Sequence, residues 1–225
     1  MTNLKPYQQN FIELLVKAEA LKFGEFTLKS GRKAPYFLNA GSFYTGELIY
    51  QLGRFYAEAL LDSGMEFDVI FGPAYKGIPL SVATTGVLFS EFKRNVSFCF
   101  NRKEAKDHGE GKILVGAPLS ESTRVVLIDD VITAGTAIRE TVELLKQVGN
   151  PHISGICIAM NRMEKNNDGE NALETIENEL GIRVVSIVDL DDVILALHNK
   201  EVNGRIYIDD ALFETIKAYR VEYGV

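Results

Sequence analysis

Phe11, Leu14, Leu15, Ala18 and Leu21 recur at three- and four-residue steps, so residues 6 to 21 are predicted to form an amphipathic helix with Pro6 in its first turn. Leu48, Leu52, Phe55, Tyr56 and Ala59 repeat the spacing and predict a second helix over 47 to 61. The pattern then changes. Short continuous apolar runs appear at 69 to 71, 96 to 100, 125 to 128, 153 to 159 and 183 to 188, mostly separated by helix-period stretches. Strands apolar on both faces, alternating with helices, predict a largely parallel sheet covered on both sides, which is an α/β fold. Ligands of such sheets bind beyond the carboxyl ends of the strands, so the residues after Phe71, Phe100, Ile128 and Met160 are where chemistry is expected.

No internal repeat, Pro/Gly/Ser linker or low-complexity tract interrupts the 225 residues, so one compact domain with a buried core is expected. Hydrophobic residues at 46% and charged residues at 24% exclude a collagenous, disordered or membrane-spanning chain. No apolar run approaches the ~18–20 residues of a spanning helix. The polar start Met1-Thr2-Asn3-Leu4-Lys5-Pro6 lacks a signal-peptide stretch, which makes the cytoplasm the expected compartment. Cys99 and Cys157 lie in apolar runs without metal-ligand spacing and are expected to be buried free thiols. With 24 Lys+Arg against 31 Asp+Glu the net charge is −7, which counts against duplex nucleic acid as a partner. Small anionic ligands need only a local cationic cluster.

The most informative segment is Val125-Val126-Leu127-Ile128-Asp129-Asp130-Val131-Ile132-Thr133-Ala134-Gly135-Thr136-Ala137-Ile138. A buried strand delivers two adjacent carboxylates to its carboxyl end, and a loop of small and hydroxyl residues opens a helix predicted from about Thr136 to Val148. Unpaired N–H groups and the helix dipole make such a loop a phosphate cradle, with Thr133 and Thr136 adding hydroxyls. Asp129 and Asp130 are placed to accept from vicinal sugar hydroxyls and to hold a hydrated Mg²⁺. Two aspartates before a helix are also ordinary caps and dipole partners, but capping alone requires no Thr-Ala-Gly-Thr loop.

Phe71-Gly72-Pro73-Ala74-Tyr75-Lys76-Gly77-Ile78-Pro79 follows another predicted strand, and its glycines and prolines fix a tight turn holding Lys76 at the same sheet edge. The stretch Asn101-Arg102-Lys103-Glu104-Ala105-Lys106-Asp107-His108-Gly109-Glu110-Gly111-Lys112 has mixed charge and two glycines, the composition of a surface loop. Such a loop serves as a lid where Arg102, Lys103, Lys106 and His108 converge on a polyanion and shield a reactive sugar from water.

The 125 to 138 segment resembles the phosphoribosyl-diphosphate motif of the type I phosphoribosyltransferases. No GxxxxGK[ST] or GxGxxG competes with it. The 101 to 112 stretch is similar to the lid of the members that act on orotate. So are Leu21 to Lys33, Pro35-Tyr36-Phe37, Ala218-Tyr219-Arg220 and Tyr223-Gly224-Val225, so the resemblance spans roughly the whole chain. It implies a single domain over 1–225, a mostly parallel sheet flanked by helices, and a small hood contributed by 1–45. It also implies transfer of the phosphoribosyl group of 5-phosphoribosyl 1-diphosphate to orotate, with Mg²⁺ held through substrate and waters near Asp129 and Asp130 and with no direct protein ligand. Lys106, His108, Asp129 and Asp130 match catalytic positions. Lys29, Tyr75, Lys76, Arg102, Lys103, Lys106, His108 and the run Asp129, Asp130, Val131, Ile132, Thr133, Ala134, Gly135, Thr136 and Ala137 match the donor site, and Phe37, Leu38, Thr133 and Arg162 match the orotate pocket. The resemblance further implies a homodimer whose lid acts across subunits.

Arg162, just past the run ending at Met160, carries the forked donors suited to a carboxylate or ring carbonyl. Together with Phe37 it argues against transfer to uracil or a purine. A ligand-sensing regulator on the same fold is disfavoured by the intact 102 to 108 set and the net charge. Two departures stand out. Position 38 is leucine where relatives often carry a second phenylalanine, and residues 164 to 179, with six acids against one lysine, are expected to be a solvated face without function.

Overall fold

The computed structural model describes residues 4–28, 31–104, 113–166 and 168–225. Helix α1 (Pro6–Lys17) stops earlier than the apolar spacing predicts, because Glu19 takes a positive φ of 51° and the amides of Ala18 and Ala20 close back on Leu14 and Leu15. Leu21, which fits the helical period, instead opens strand β1 (Leu21–Thr27), which pairs antiparallel with β2 (Lys33–Leu38). Helix α2 (Gly46–Asp62) matches the second predicted helix and is capped by the Thr45 hydroxyl, which accepts from the amide of Leu48.

The core follows as β3 (Val69–Gly72), α3 (Gly77–Ser90), β4 (Ser97–Asn101), β5 (Leu114–Gly116), β6 (Arg124–Asp129), α4 (Thr136–Gln147), β7 (His152–Asn161), α5 (Ala172–Leu180), β8 (Val184–Asp189) and α6 (Leu190–Leu197). A short hairpin of β9 (Glu201–Val202) and β10 (Arg205–Ile206) leads into α7 (Asp210–Tyr223). Each predicted apolar run is a strand of one sheet with the order β5-β4-β3-β6-β7-β8. All neighbours pair parallel except β4 with β5.

The alternation of side chains sorts the strands into two apolar layers. Ile70, Val126, Ile128 and Cys157 face the layer covered by α1, α2, α3, α6 and α7, while Val69, Phe71, Val125, Leu127, Ile156 and Ile158 face α4 and α5. The first layer holds many more buried side chains than the second. Both cysteines are free and buried, and burial pushes the Cys99 thiol up to about 11. Among the described residues no helix is long and apolar enough to cross a membrane.

Candidate active site

The sheet order reverses between β3 and β6, since the chain leaves β3 toward β4 and returns to pair β6 on the other side. Such a switch point opens a crevice beyond the strand ends. A cavity of about 1000 Å³ lies there. Its floor is the turn after β3 and the loop after β6, with Pro73, Ala74, Tyr75, Lys76 and Asp129 to Ala134 among the lining residues. The β3 turn is closed by two interlocked glycines: a Cβ on Gly72 would sit 2.0 Å from the Gly77 carbonyl oxygen, so no larger residue fits without moving backbone.

Lys76, so positioned, donates to Asp130 at 2.6 Å. Asp130 is 5% exposed, and its other oxygen accepts from the amide of Val131. Asp129 accepts from the amide of Asp130, and its own carbonyl receives the hydroxyl of the fully buried Tyr56 at 2.7 Å. Burial first, and then the neighbouring charge of Asp130, raise the Asp129 carboxyl well above the usual carboxylate range, against the opposing pull of the Asp130 amide and Lys76. Gly135 caps α4 at a φ of 72° and supplies no side-chain acceptor, so the first-turn amides remain available to an anion. Arg139, held by Glu179 of α5, donates to the carbonyl of Ala134 at 2.6 Å and steadies this loop.

The roof is the β1–β2 hairpin, which supplies Thr27, Leu28, Arg32, Phe37 and Leu38. Phe37 stacks on Phe26 with centroids 5.6 Å apart. Among the described residues of 1–45, only those of the hairpin line the cavity, whereas α1 packs into the core against α2, α6 and β8. The far wall is the segment after β7, where Arg162 pairs with Glu164 at 2.7 Å. The Nε of Arg162 is buried and has no hydrogen-bond partner among the described residues. A buried N–H left unpaired costs about 1–3 kcal/mol, a deficit that a ligand acceptor removes.

A phosphoribosyl transferase domain model matches residues 39–191. The orotate phosphoribosyltransferase of Photorhabdus laumondii is 51% identical over 99% of this chain and 100% of its own, and that of Lachnoclostridium phytofermentans is 46% identical over 99% of each. The chain belongs to the orotate phosphoribosyltransferase family. It is an enzyme, a transferase, with the type I phosphoribosyltransferase fold. The crystal structure of the Francisella tularensis orotate phosphoribosyltransferase, 38% identical, superposes with a TM-score of 0.83 over 96% of this chain and all of that one.

Against the positions that resemblance to the family assigns, the structure brings Tyr75, Lys76, Asp129, Asp130, Val131, Ile132, Thr133, Ala134, Ala137, Phe37, Leu38 and Arg162 to one cavity. Lys103 adjoins it through its ammonium, 4.8 Å from the Tyr75 ring. Gly135 and Thr136 belong to the turn but do not line the cavity, Gly135 being buried beneath Ile176. Arg102 lines a separate cavity with Ile113 to Leu119 and Val148, and its amide donates to the Ile113 carbonyl beside the β4–β5 pairing. Lys29, Lys106 and His108 lie outside the described residues.

The expectation for the acidic stretch is corrected as well. The 164 to 179 stretch is not merely a solvated face, since Glu164 lies in the cavity wall against Arg162 and Glu179 holds Arg139. Net acidity concealed this, because Tyr36 and Tyr219, which address Glu164, and Arg139, which pairs with Glu179, lie elsewhere in the chain. An acid two positions after the candidate arginine was the one local signal. Tyr36, Tyr56, Arg139 and Tyr219 were likewise missed as supports of the site.

Proposed function

We propose that this enzyme transfers the phosphoribosyl group of 5-phosphoribosyl 1-diphosphate to N1 of orotate, giving orotidine 5'-phosphate and diphosphate in cytoplasmic pyrimidine biosynthesis. The observation that carries this reading is the joining, in one cavity, of an acidic pair beside an anion cradle with a buried arginine whose Nε lacks a partner. The cradle suits the 5-phosphate, and Asp129 and Asp130 suit the ribose hydroxyls. Lys76 suits the departing diphosphate, and Arg162 suits the orotate carboxylate. As the bond from C1 to diphosphate breaks, its electron pair leaves with the diphosphate and positive charge grows on the ribose. The N1 lone pair then closes on C1, and the N1 proton leaves to the diphosphate or to solvent. The protein's task is electrostatic and needs no covalent nucleophile.

Among the described residues no group of three His, Cys, Asp or Glu side chains is arranged to hold a metal ion. Two adjacent carboxylates, one of them already engaged by Lys76, fit an ion held chiefly by the substrate, with Asp129 and Asp130 reaching it through water. Bound in that way, Mg²⁺ supplies positive charge to the leaving group.

A homodimer completes the reading. Tyr44, Tyr50, Val82 and Phe89 leave apolar surface on and beside α2 and α3, which supports a second copy covering that face. Lys106 and His108 of the lid then serve the neighbouring site. Mixing two inactive variants, Lys106→Ala and Asp129→Asn/Asp130→Asn, under subunit exchange should restore activity. No recovery in demonstrated heterodimers rejects action across subunits.

The overall assignment is tested by incubating the purified enzyme with the donor, Mg²⁺ and orotate and following the loss of orotate absorbance. Uracil and hypoxanthine serve as controls. Turnover of a control base but not of orotate overturns the assignment.

A further inference from the structure

A carboxylate is an unexpected neighbour for an arginine that is to receive an anionic base, because like charges repel and a half-neutralised guanidinium binds less well. Glu164 is nevertheless beside Arg162, and both side chains are only 12% exposed. Its Oε1 also accepts from the hydroxyls of Tyr36 at 2.8 Å and Tyr219 at 3.1 Å. Three donors from three parts of the chain thus converge on one oxygen: the hairpin strand β2, the segment after β7 and helix α7. The tyrosine hydroxyls absorb part of the carboxylate's charge, while the carboxylate occupies the Nη2 corner of Arg162 and leaves Nε buried and unpaired.

The surroundings make this a rigid bracket. The Tyr36 ring lies 5.4 Å from the Arg162 guanidinium and edge-on to Tyr219. Residues beyond α7 run antiparallel to the same segment, with the amide of Lys165 on the Tyr223 carbonyl at 2.8 Å and the amide of Val225 on the Met163 carbonyl at 3.1 Å. Arg32 donates from the hairpin side to the carbonyls of Lys165 and Asn166 and lies over the Tyr223 ring. Burial opposes the charge on Arg162, yet Tyr36 and Glu164 hold its pKa above the ordinary value, so the guanidinium stays charged inside the wall. Tyr219 and the Tyr223-Gly224-Val225 ending, so far without a role, fall into place as part of this support.

We infer that Glu164, braced by Tyr36 and Tyr219, is a positioning residue for base recognition: it fixes the rotation of the Arg162 guanidinium, which lines the cavity, for contact with the ligand's carboxylate. The inference rests on the reading of Arg162 as the orotate contact. It makes α7, which lends no residue to the cavity lining, a determinant of affinity for the base and not for the donor.

The test uses the full chain as wild type, Arg162→Lys, Glu164→Gln, Tyr219→Phe and the Glu164→Gln/Arg162→Lys double variant. Initial rates are measured with orotate and donor varied separately, and thermal melting confirms folding. Glu164→Gln keeps the oxygen that both tyrosines address and removes the charge that orients Arg162. Losing that charge-assisted contact is expected to raise KM for orotate about tenfold, with KM for the donor and kcat within about twofold. Tyr219→Phe is expected to raise the same constant about threefold, and the double variant to be no worse than Arg162→Lys alone. If Arg162→Lys impairs orotate but Glu164→Gln and Tyr219→Phe change nothing, or shift both KM values alike, Glu164 only holds the fold together and the inference fails while the Arg162 reading stands. If Arg162→Lys leaves orotate unaffected, both fail. Should Glu164→Gln not fold, Tyr219→Phe, which removes one hydroxyl, decides alone.

Discussion

The floor and the far wall of the cavity are built in opposite ways. The floor comes from two contiguous stretches, Gly72 to Gly77 and Asp129 to Ala137, each a strand end, a turn and the start of a helix. Within the second stretch Asp129 and Asp130 each accept from the next amide along the chain, and the two stretches are joined by the ion pair of Lys76 with Asp130. The wall is assembled from residues 36, 162, 164 and 219, which meet only once the hairpin and α7 have docked. Recognition of a polyanion needs backbone amides and charge at a fixed sheet edge, which local sequence can encode. Recognition of one planar base needs side chains set at particular angles, and long-range packing supplies those angles.

That contrast is sharpest at the acidic pair. Asp129→Asn with Asp130→Asn keeps shape and removes charge, so turnover should fall on the order of 100-fold or more while the thermal transition persists. Near-normal activity would return the pair to simple capping. On the wall, Arg162→Lys retains charge but loses the planar fork, a loss of about 1.5–3 kcal/mol that should weaken orotate far more than the donor. Calorimetric titration showing unchanged orotate affinity would separate Arg162 from the base.

Tyr56→Phe removes the buried hydroxyl on the Asp129 carbonyl, a contact from α2 to the floor, and should cost about 1 kcal/mol in urea unfolding. No change in the midpoint would mean that the floor is held by its strands alone. The smallest effect concerns pH. Native Asp129 keeps its proton to higher pH than the unfolded chain does, so its stabilising contribution is present below the usual carboxylate pKa and is lost as pH rises through the raised native value. Asp129→Asn should flatten this fall, which is at most about 1.4 kcal/mol per pH unit for one group. Identical slopes in wild type and variant would contradict it. The ionised carboxylate is the stronger acceptor for a ribose hydroxyl, so donor affinity should rise over the interval in which stability declines.

Local chemistry explains what was legible. The five apolar runs became five strands because strands buried on both faces must be apolar throughout, and α4 began at Thr136 because a glycine in left-handed geometry precedes it. The end of α1 escaped detection because Leu21 satisfies the helical period and also starts β1, and periodicity cannot decide between them. Arg162 was visible from its place after a strand. Glu164 was not, because an acid in an acidic stretch is ordinary until its donors arrive from positions 36 and 219.

The unequal depth of the two apolar layers bears on motion. Cooperative local opening becomes easier where fewer buried apolar contacts must be broken, and α4 lies in the thinner layer, resting on Ile138, Val142 and Leu145. The helix whose first turn forms the anion cradle therefore belongs to the layer with fewer buried apolar contacts to break. Filling the cradle ties that turn down, and part of the binding energy then appears as slower amide exchange along α4, beyond any residue that touches the ligand.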